Sequence, residues 1–283
     1  MLSSRELFSD GPETSKEKPL FVTGFFRSGT SLTTQLLQGL GMDLGPENHL
    51  LLAKNERAVL NPQGFYENYL FMDMSLMAFS KLNSWGHIPP TPEKATELNF
   101  DKKDREEFAE YTLCGVHDDR ISNKNKMDAL KHFDVLSLNS YLEKKFKFPY
   151  AIKNPHFSIF SSFLLKKWPE AKFLVCFREP SNAIASAASI TSFLDEKIYL
   201  RYYSDLIHLP SDKVLFFSHA QLMASPENSV KALAKVLNLN ESKIPQALSL
   251  LNPSLHRHKS KEEPKDKHVK ELYELMLSKA INK

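Results

Sequence analysis

The sequence predicts an α/β protein with a doubly wound, mainly parallel sheet flanked by helices and a helical insertion. Three apolar segments separated by helical patterns support this: Leu20–Thr23, Lys172–Phe177 and Lys213–Phe217. Continuous apolar runs of about four to eight residues are typical of strands that are buried on both faces of a parallel sheet. Tyr150–Ile152 is a shorter fourth candidate.

The first strand leads through a Gly-bounded loop into a helix. The segment GFFRSGTS resembles the nucleotide-binding P-loop, but Thr30 stands where that loop has lysine. Backbone N–H groups and the positive end of a helix dipole converge in such a loop and favour an anion. Arg27 adds a permanent positive charge, and the hydroxyl residues also suit helix-capping positions. The alternative is a tight turn in which the glycines serve only geometry. The candidate anion-binding residues are Gly24, Phe26, Arg27, Ser28, Gly29, Thr30 and Ser31.

The remaining elements follow in chain order. Residues 1–17 are predicted to be a mobile polar arm, and residues 18–258 a single α/β domain with the helical insertion at about 68–147. Residues 259–283 are predicted to form a charged linker and an amphipathic helix. The further helices are predicted at about 67–82, 158–168, 182–194, 196–207, from Pro226 to about 239, and at 268–281. Because parallel strands open at one edge, Arg27 and Arg178 are expected at the same edge of the sheet.

Composition and charge exclude several classes of protein. The net charge of +3 over 283 residues gives no argument for nucleic acid binding. Two cysteines indicate no disulfide framework, and Cys176 is expected to be a packed thiol in a strand. Neither a signal-peptide core nor an apolar run of about 18 residues is visible, so we expect no membrane span and a cytoplasmic location. The histidines show no metal-ligand spacing, and no metal is expected.

Four segments resemble the sulfotransferases that use 3′-phosphoadenosine 5′-phosphosulfate (PAPS). FVTGFFRSGTSL resembles the family's 5′-phosphosulfate loop, and KFLVCFREPSNAIAS resembles its 3′-phosphate element, with Ser186 eight residues after Arg178. NPQGFYE and the region around Lys153 resemble bacterial members. The segment from Leu215 to Leu239 resembles a later strand and helix, although His219 and its neighbours replace the usual acidic residues.

The resemblance implies a reaction and a set of roles. The chain would move a sulfuryl group from PAPS to a hydroxyl or amine acceptor by in-line transfer, without a metal, leaving adenosine 3′,5′-bisphosphate. The loop with Arg27 would hold the 5′ end, and Arg178 and Ser186 would hold the 3′-phosphate. Lys153 would add charge near the sulfuryl group or pair with a carboxylate. A small molecule, a carbohydrate or a lipid would suit as acceptor, and residues 68–147 are expected to select it.

Such a reaction needs a proton acceptor, for which the family uses Glu or His. Glu47 and Glu67 are the candidates, and Glu47 is slightly favoured, because it lies in GPENHL at a distance from Arg27 similar to that of the base in some Golgi-type relatives. Glu67 is predicted at a helix start, where the dipole would keep it ionised or where it would serve only as a dipole partner. His49, His87 and His156 fit surface or packing roles better.

Two other functions stay open from the residues alone. A P-loop kinase or NTPase would need a lysine in place of Thr30 and an acidic residue at a strand end. A non-catalytic nucleotide-binding protein of the same fold is favoured if neither glutamate faces the cofactor. For Arg178, the alternative is a surface ion pair with Glu179.

Overall fold

A computed structural model describes residues 18–52, 61, 64–100, 138–188, 191–251 and 263–283. The predicted arm at 1–17 and residues 101–137 of the predicted insertion lie outside these ranges. So do residues 259–262 of the predicted charged linker.

The described strands form a parallel sheet, which confirms the predicted fold class. They are β1 (Leu20–Thr23), β2 (Ala151–Lys153), β3 (Lys172–Phe177) and β4 (Val214–Ser218), in the spatial order β2-β1-β3-β4. The first and third match their predicted bounds, and the other two are shifted by one residue. Since β1 pairs in parallel with both β2 and β3, the carboxyl ends of all three strands open at one edge of the sheet, as expected.

The helices of the described residues flank this sheet. They are α1 (Thr30–Gly39), α2 (Tyr69–Lys81), α3 (Pro92–Thr96), α4 (Leu138–Lys145), α5 (Ser161–Lys167), α6 (Pro180–Ala187), α7 (Glu196–Ser204), α8 (His219–Ala224), α9 (Pro226–Val236), α10 (Ile244–Leu248) and α11 (Lys267–Lys279). Short 3₁₀ turns occur at Glu47–His49, Pro155–Ser158, Leu206–His208 and Glu241–Lys243.

Two predicted helix starts were wrong, and a side-chain cap explains each. α2 begins at Tyr69 instead of Glu67, because the Asn68 side chain accepts a hydrogen bond from the Leu70 amide and caps the helix. α6 begins at Pro180 instead of Asn182, because the Glu179 carboxylate caps it and a proline suits the first helical position. The helix predicted from residue 158 is a 3₁₀ turn followed by α5.

The two faces of the sheet carry separate apolar clusters. Side chains alternate along a strand, so each strand supplies both clusters. On one face lie Phe21, Phe173, Val175 and Phe177, and on the other lie Leu20, Val22, Leu174 and Cys176. Burial raises the pKa of the Cys176 thiol to about 12, which fits the predicted packed thiol. Because both clusters include helix residues, helices pack on both faces of the sheet and hold the loops at the strand ends.

The C-terminal helix packs on this domain. In α11, Val269 and Met276 are fully buried. Beyond it, the Ile281 amide donates to the Phe216 carbonyl at 2.9 Å. The Asn282 side chain then accepts from the Ser218 amide and donates to the Ser218 carbonyl, both at 2.9 Å. The end of the chain is thereby fixed beside β4. No helix within the described ranges is long and apolar enough to cross a membrane.

Candidate functional site

The loop after β1 is shaped by close backbone packing against β3. Gly24 has φ 144°, and a Cβ at this position would lie 2.1 Å from the Cys176 carbonyl oxygen. Only glycine avoids that contact, so the chain can turn immediately above the neighbouring strand. Arg27 has φ 62°, which is unusual for a residue with a side chain. Arg27 thus occupies a left-handed position in the turn, from which its Nε reaches Ser186.

A buried tyrosine of α7 holds the same loop from the other side. The Tyr203 hydroxyl accepts a hydrogen bond from the Phe25 amide at 3.0 Å. It also lies 3.0 Å from the Ser28 hydroxyl and 3.0 Å from the Cys176 carbonyl. One phenol therefore connects two loop residues to β3. Sequence analysis missed this residue, because the tyrosines of α7 follow the helical spacing of ordinary core residues.

The start of α1 differs from the capping prediction. Gly29 is the N-cap residue, and no side chain caps the helix. Ser28 bonds with Tyr203 instead, and the Ser31 hydroxyl donates to the Phe65 carbonyl at 3.3 Å. A helix whose first amides lack a side-chain cap is suited to an anion at its N-terminus. The His219 ring lies against Gly29, because a Cβ there would meet its Cδ2 atom at 2.8 Å.

The two predicted anion sites meet at the carboxyl ends of β1 and β3. Arg27 Nε donates to the hydroxyl of Ser186, which is buried in α6, at 3.1 Å. Burial lowers the pKa of Arg27. Burial also lowers the pKa of Arg178. The positive charge of Arg27 lowers that pKa further, whereas the negative charge of Glu179 raises it. Two partly buried guanidinium groups therefore act on each other here, and a bound anion would stabilise both.

The sequence predicts that Arg178 binds an anion, with a surface ion pair to Glu179 as the alternative. The Glu179 carboxylate accepts hydrogen bonds from the amides of Ser181 (3.0 Å) and Asn182 (2.8 Å) at the start of α6. Its effect on the pKa of Arg178 is smaller than that of Arg27. The Tyr199 hydroxyl donates to the Arg178 carbonyl at 2.8 Å and anchors the backbone of this residue. Arg178 therefore has an anchored backbone and lies within reach of the positive charge of Arg27.

A buried ion pair lies at the end of β2, beside the loop. Lys153 Nζ pairs with a Glu67 oxygen, and the side chains are only 2% and 10% exposed. Lys153 Nζ also donates to the Ser31 hydroxyl at 3.4 Å. The interpretation of Glu67 as a first-turn residue of a helix is wrong, since it precedes the Asn68 cap and pairs with a cation across the backbone bridge to β2. Packing therefore brings Lys153, Glu67 and the loop together.

The other candidate base and the histidines lie in different environments. Glu47 is exposed on its 3₁₀ turn. His49 is buried, with Nδ1 2.8 Å from the Tyr141 hydroxyl. His87 stacks on Phe193. His156 is half-buried, and burial together with Lys153 lowers its pKa to about 4. These positions fit packing roles for His49 and His156.

No group of three or more His, Cys, Asp or Glu side chains suited to a metal ion occurs among the residues that the structure describes. The candidate site is instead built from backbone amides, hydroxyls, two arginines and a lysine. Such a donor set suits a ligand that carries two separated anionic groups.

Comparison with known proteins identifies the family. A family model described as "Sulfotransferase family" matches residues 19–243. The sulfotransferase domain of the Synechococcus PCC 7002 olefin synthase has a similar fold, with TM-score 0.50, 15% identity, and coverage of 94% of this chain and 97% of that one. The sulfotransferase STF1 from Mycobacterium tuberculosis gives TM-score 0.41 and 15% identity, covering 94% and 78%. The sulfotransferase STF9 from Mycobacterium avium gives a TM-score of 0.39 and 15% identity, and the match covers 93% of this chain and 76% of that one. The search of curated proteins gave no match. Because the family model matches most of the chain, this protein belongs to the sulfotransferase family.

Proposed function

We propose that the protein transfers a sulfuryl group from PAPS to a hydroxyl or amine of an acceptor. The observation that carries this proposal is the contact of Arg27 with Ser186, beside Arg178, at the ends of two neighbouring strands. PAPS carries a 5′-phosphosulfate and a 3′-phosphate, so it needs two anion sites close together. The family match supports the same reaction class.

The loop between β1 and α1 would hold the 5′ end of the donor. Gly24 and Gly29 allow the backbone to come close to an anion, and the uncapped start of α1 supplies amide donors. Arg27 and the hydroxyls add side-chain donors. The group assigned to this end is Gly24, Phe26, Arg27, Ser28, Gly29, Thr30 and Ser31.

Arg178 and Ser186 would hold the 3′-phosphate. Arg178 follows β3, and Ser186 projects from α6, which begins two residues later. A guanidinium is a planar fork that binds a phosphate through two parallel hydrogen bonds, and a serine hydroxyl is a short donor. Since Arg27 also reaches Ser186, the same hydroxyl connects the two ends of the donor site.

In the reaction, an acceptor oxygen or nitrogen forms a bond to sulfur while the bond between sulfur and the bridging phosphate oxygen breaks. The acceptor proton passes to a base, and the negative charge remains on the phosphate of adenosine 3′,5′-bisphosphate. Arg27 would neutralise the charge that grows on the bridging oxygen. Lys153, beside Ser31, would stabilise charge on the sulfuryl oxygens.

We assign the base to Glu67 in preference to Glu47. Glu67 is buried and ion-paired with Lys153, whose ammonium also reaches the loop. Glu47 is exposed, so water would weaken its interaction with a developing charge. As an acceptor proton arrives at Glu67, its pairing with Lys153 would weaken and leave the ammonium available to the sulfuryl group.

Calorimetry tests the donor assignment. The purified protein is titrated with adenosine 3′,5′-bisphosphate, with adenosine 5′-phosphate, and with ATP plus Mg²⁺. We expect the bisphosphate to bind at least tenfold more tightly than either of the others, because only it presents both anions at the required separation. Preference for ATP with Mg²⁺ would support a P-loop kinase or NTPase, although Thr30 stands at the lysine position of that loop.

A further inference from the structure

Three large apolar side chains are exposed near the candidate site, beside a half-buried histidine ring. Trp85, Ile88 and Phe193 are 47%, 63% and 65% exposed. Trp85 and Ile88 close a turn through two backbone hydrogen bonds of 2.9 and 3.0 Å. The His87 ring stacks on Phe193 with centroids 5.2 Å apart. We name Trp85, His87, Ile88 and Phe193 the apolar patch. Clustered exposure of this kind marks a binding surface more often than isolated apolar residues do.

The apolar patch is continuous with the phosphosulfate loop. The Gly86 carbonyl accepts from the Tyr202 hydroxyl at 3.1 Å, and a Cβ on Gly86 would lie 2.9 Å from His156 Nε2. Phe26 of the loop packs on both of these rings, with centroid distances of 5.5 Å to His156 and 5.4 Å to Tyr202. A wall of rings thus runs from the turn of the apolar patch to the residue before Arg27.

The wall extends from the end of β2, which His156 follows, to Tyr202 of α7, a helix that also contacts β3 through Tyr203. In the order β2-β1-β3-β4, the proposed donor site spans the ends of β1 and β3. The end of β2, with Lys153 and His156 beyond it, lies on the other side of β1 and is left for the acceptor. Burial keeps His156 neutral, because its pKa is lowered to about 4. Tyr202 is fully buried, so the surface that is open to an acceptor is the apolar patch.

We infer that the acceptor is an alcohol with an apolar body, which rests on the apolar patch and presents its hydroxyl at the end of β2. This inference rests on the proposed function. The oxygen of the alcohol forms the bond to sulfur, the bridging oxygen of the donor leaves with the bond electrons, and the proton passes to Glu67. The side chains of Ile88 and Phe193 offer no hydrogen-bond partner to the hydroxyls of a carbohydrate, which disfavours sugars at this surface.

Primary n-alkanols from butanol to decanol test the inference with the full-length protein and PAPS. We expect kcat/KM to rise about fourfold for each methylene that is buried, until the apolar patch is covered. Phe193→Asp and Ile88→Asp should flatten this dependence. Phe148→Asp is the matched control, since Phe148 is 74% exposed but precedes the amino end of β2, at the opposite edge of the sheet. Binding of adenosine 3′,5′-bisphosphate should stay unchanged in all three variants.

The outcomes separate the two proposals. Normal nucleotide binding with no transfer to alkanols, or with transfer that does not depend on chain length, overturns the acceptor inference and leaves the proposed function standing. Failure of the wild-type protein to bind the bisphosphate overturns both. Sedimentation of the same variants identifies another occupant: if Phe193→Asp dissociates an oligomer while the chain-length dependence persists, the apolar patch is a contact between copies and the inference is wrong.

Discussion

Arg27 Nε donates to the Ser186 hydroxyl across 3.1 Å, although 159 residues separate them in the sequence. This bond joins the loop after β1 to the helix after β3. A change at either residue is therefore expected to disturb both ends of a bound donor. In a double-mutant cycle of Arg27→Ala and Ser186→Ala, the effects on nucleotide binding should not add, because the two residues share a contact.

Arg27→Ala is expected to lower the transfer rate by about 100- to 1,000-fold, the range seen when one donor to a developing anion is removed. Arg27→Lys should recover only part of the lost rate. A lysine ammonium lacks the planar fork of a guanidinium, which can contact Ser186 and the bound PAPS at the same time. Turnover with PAPS measures the effect, and circular dichroism checks that the fold is retained. Turnover of Arg27→Ala close to that of the wild type would remove this arginine from the mechanism.

Arg178→Ala is expected to weaken binding of adenosine 3′,5′-bisphosphate about tenfold or more, the range of a charge-assisted hydrogen bond. Binding of adenosine 5′-phosphate should change much less, because that nucleotide lacks the group assigned to Arg178. Calorimetry with both nucleotides gives the comparison. Equal losses for both would show that Arg178 does not bind the 3′-phosphate. Lys172→Ala, an exposed residue at the other end of β3, serves as control.

Glu67→Gln is expected to abolish most of the transfer and to destabilise the fold, whereas Glu47→Gln should do neither. Removing one partner of a buried ion pair costs about 3–5 kcal/mol, because the other charge stays buried. Chemical denaturation measures the stability. The double variant Glu67→Leu with Lys153→Met should recover stability without recovering activity, which separates the stabilising role of the ion pair from the catalytic role of its two residues. Collapse of the rate in Glu47→Gln alone would identify Glu47 as the base.

Tyr203→Phe is expected to lower the free energy of unfolding by about 1–3 kcal/mol, because it leaves the buried Phe25 amide without its hydrogen-bond acceptor. It should also weaken nucleotide binding, since the loop is then held less firmly. Tyr202→Phe is the matched control. That tyrosine is equally buried on α7, but its hydroxyl bonds with Gly86 and not with the loop. Equal effects of the two variants on nucleotide binding would contradict the positioning role of Tyr203.

His156 is expected to make the protein less stable in mild acid. The pKa of His156 is about 4 in the folded protein, compared with 6.5 for an ordinary histidine. As the pH falls, the unfolded chain therefore binds a proton at this residue before the folded protein does. Stability is unaffected above pH 6.5 and is lost between about 6.5 and 4, by about 3 kcal/mol in total. Denaturation at several pH values should show that His156→Gln removes this loss. His268→Gln, at an exposed histidine, should retain it.

Much of the fold followed from local patterns. Leu20–Thr23 and Lys172–Phe177 have the bounds that their apolar runs predicted. The family also followed from short motifs at these strand ends. Helix starts were less predictable where a nearby side chain caps the helix by accepting hydrogen bonds from its first amides. Asn68 moved the start of α2, and Glu179 moved that of α6, because a side chain that accepts amide hydrogen bonds fixes the first turn.

By itself, the sequence determined the alternation of buried strands and helices, the Gly-bounded loop and the two arginines at strand ends. Each of these depends on residues that are neighbours in the chain. Only the tertiary structure decided that Arg27 reaches Ser186, that Glu67 pairs with Lys153 and that Tyr203 holds the loop. These contacts join residues that are far apart in sequence. They depend on how the strands and helices pack. Hydrophobic burial determines this packing for the whole chain, and no local sequence pattern encodes it.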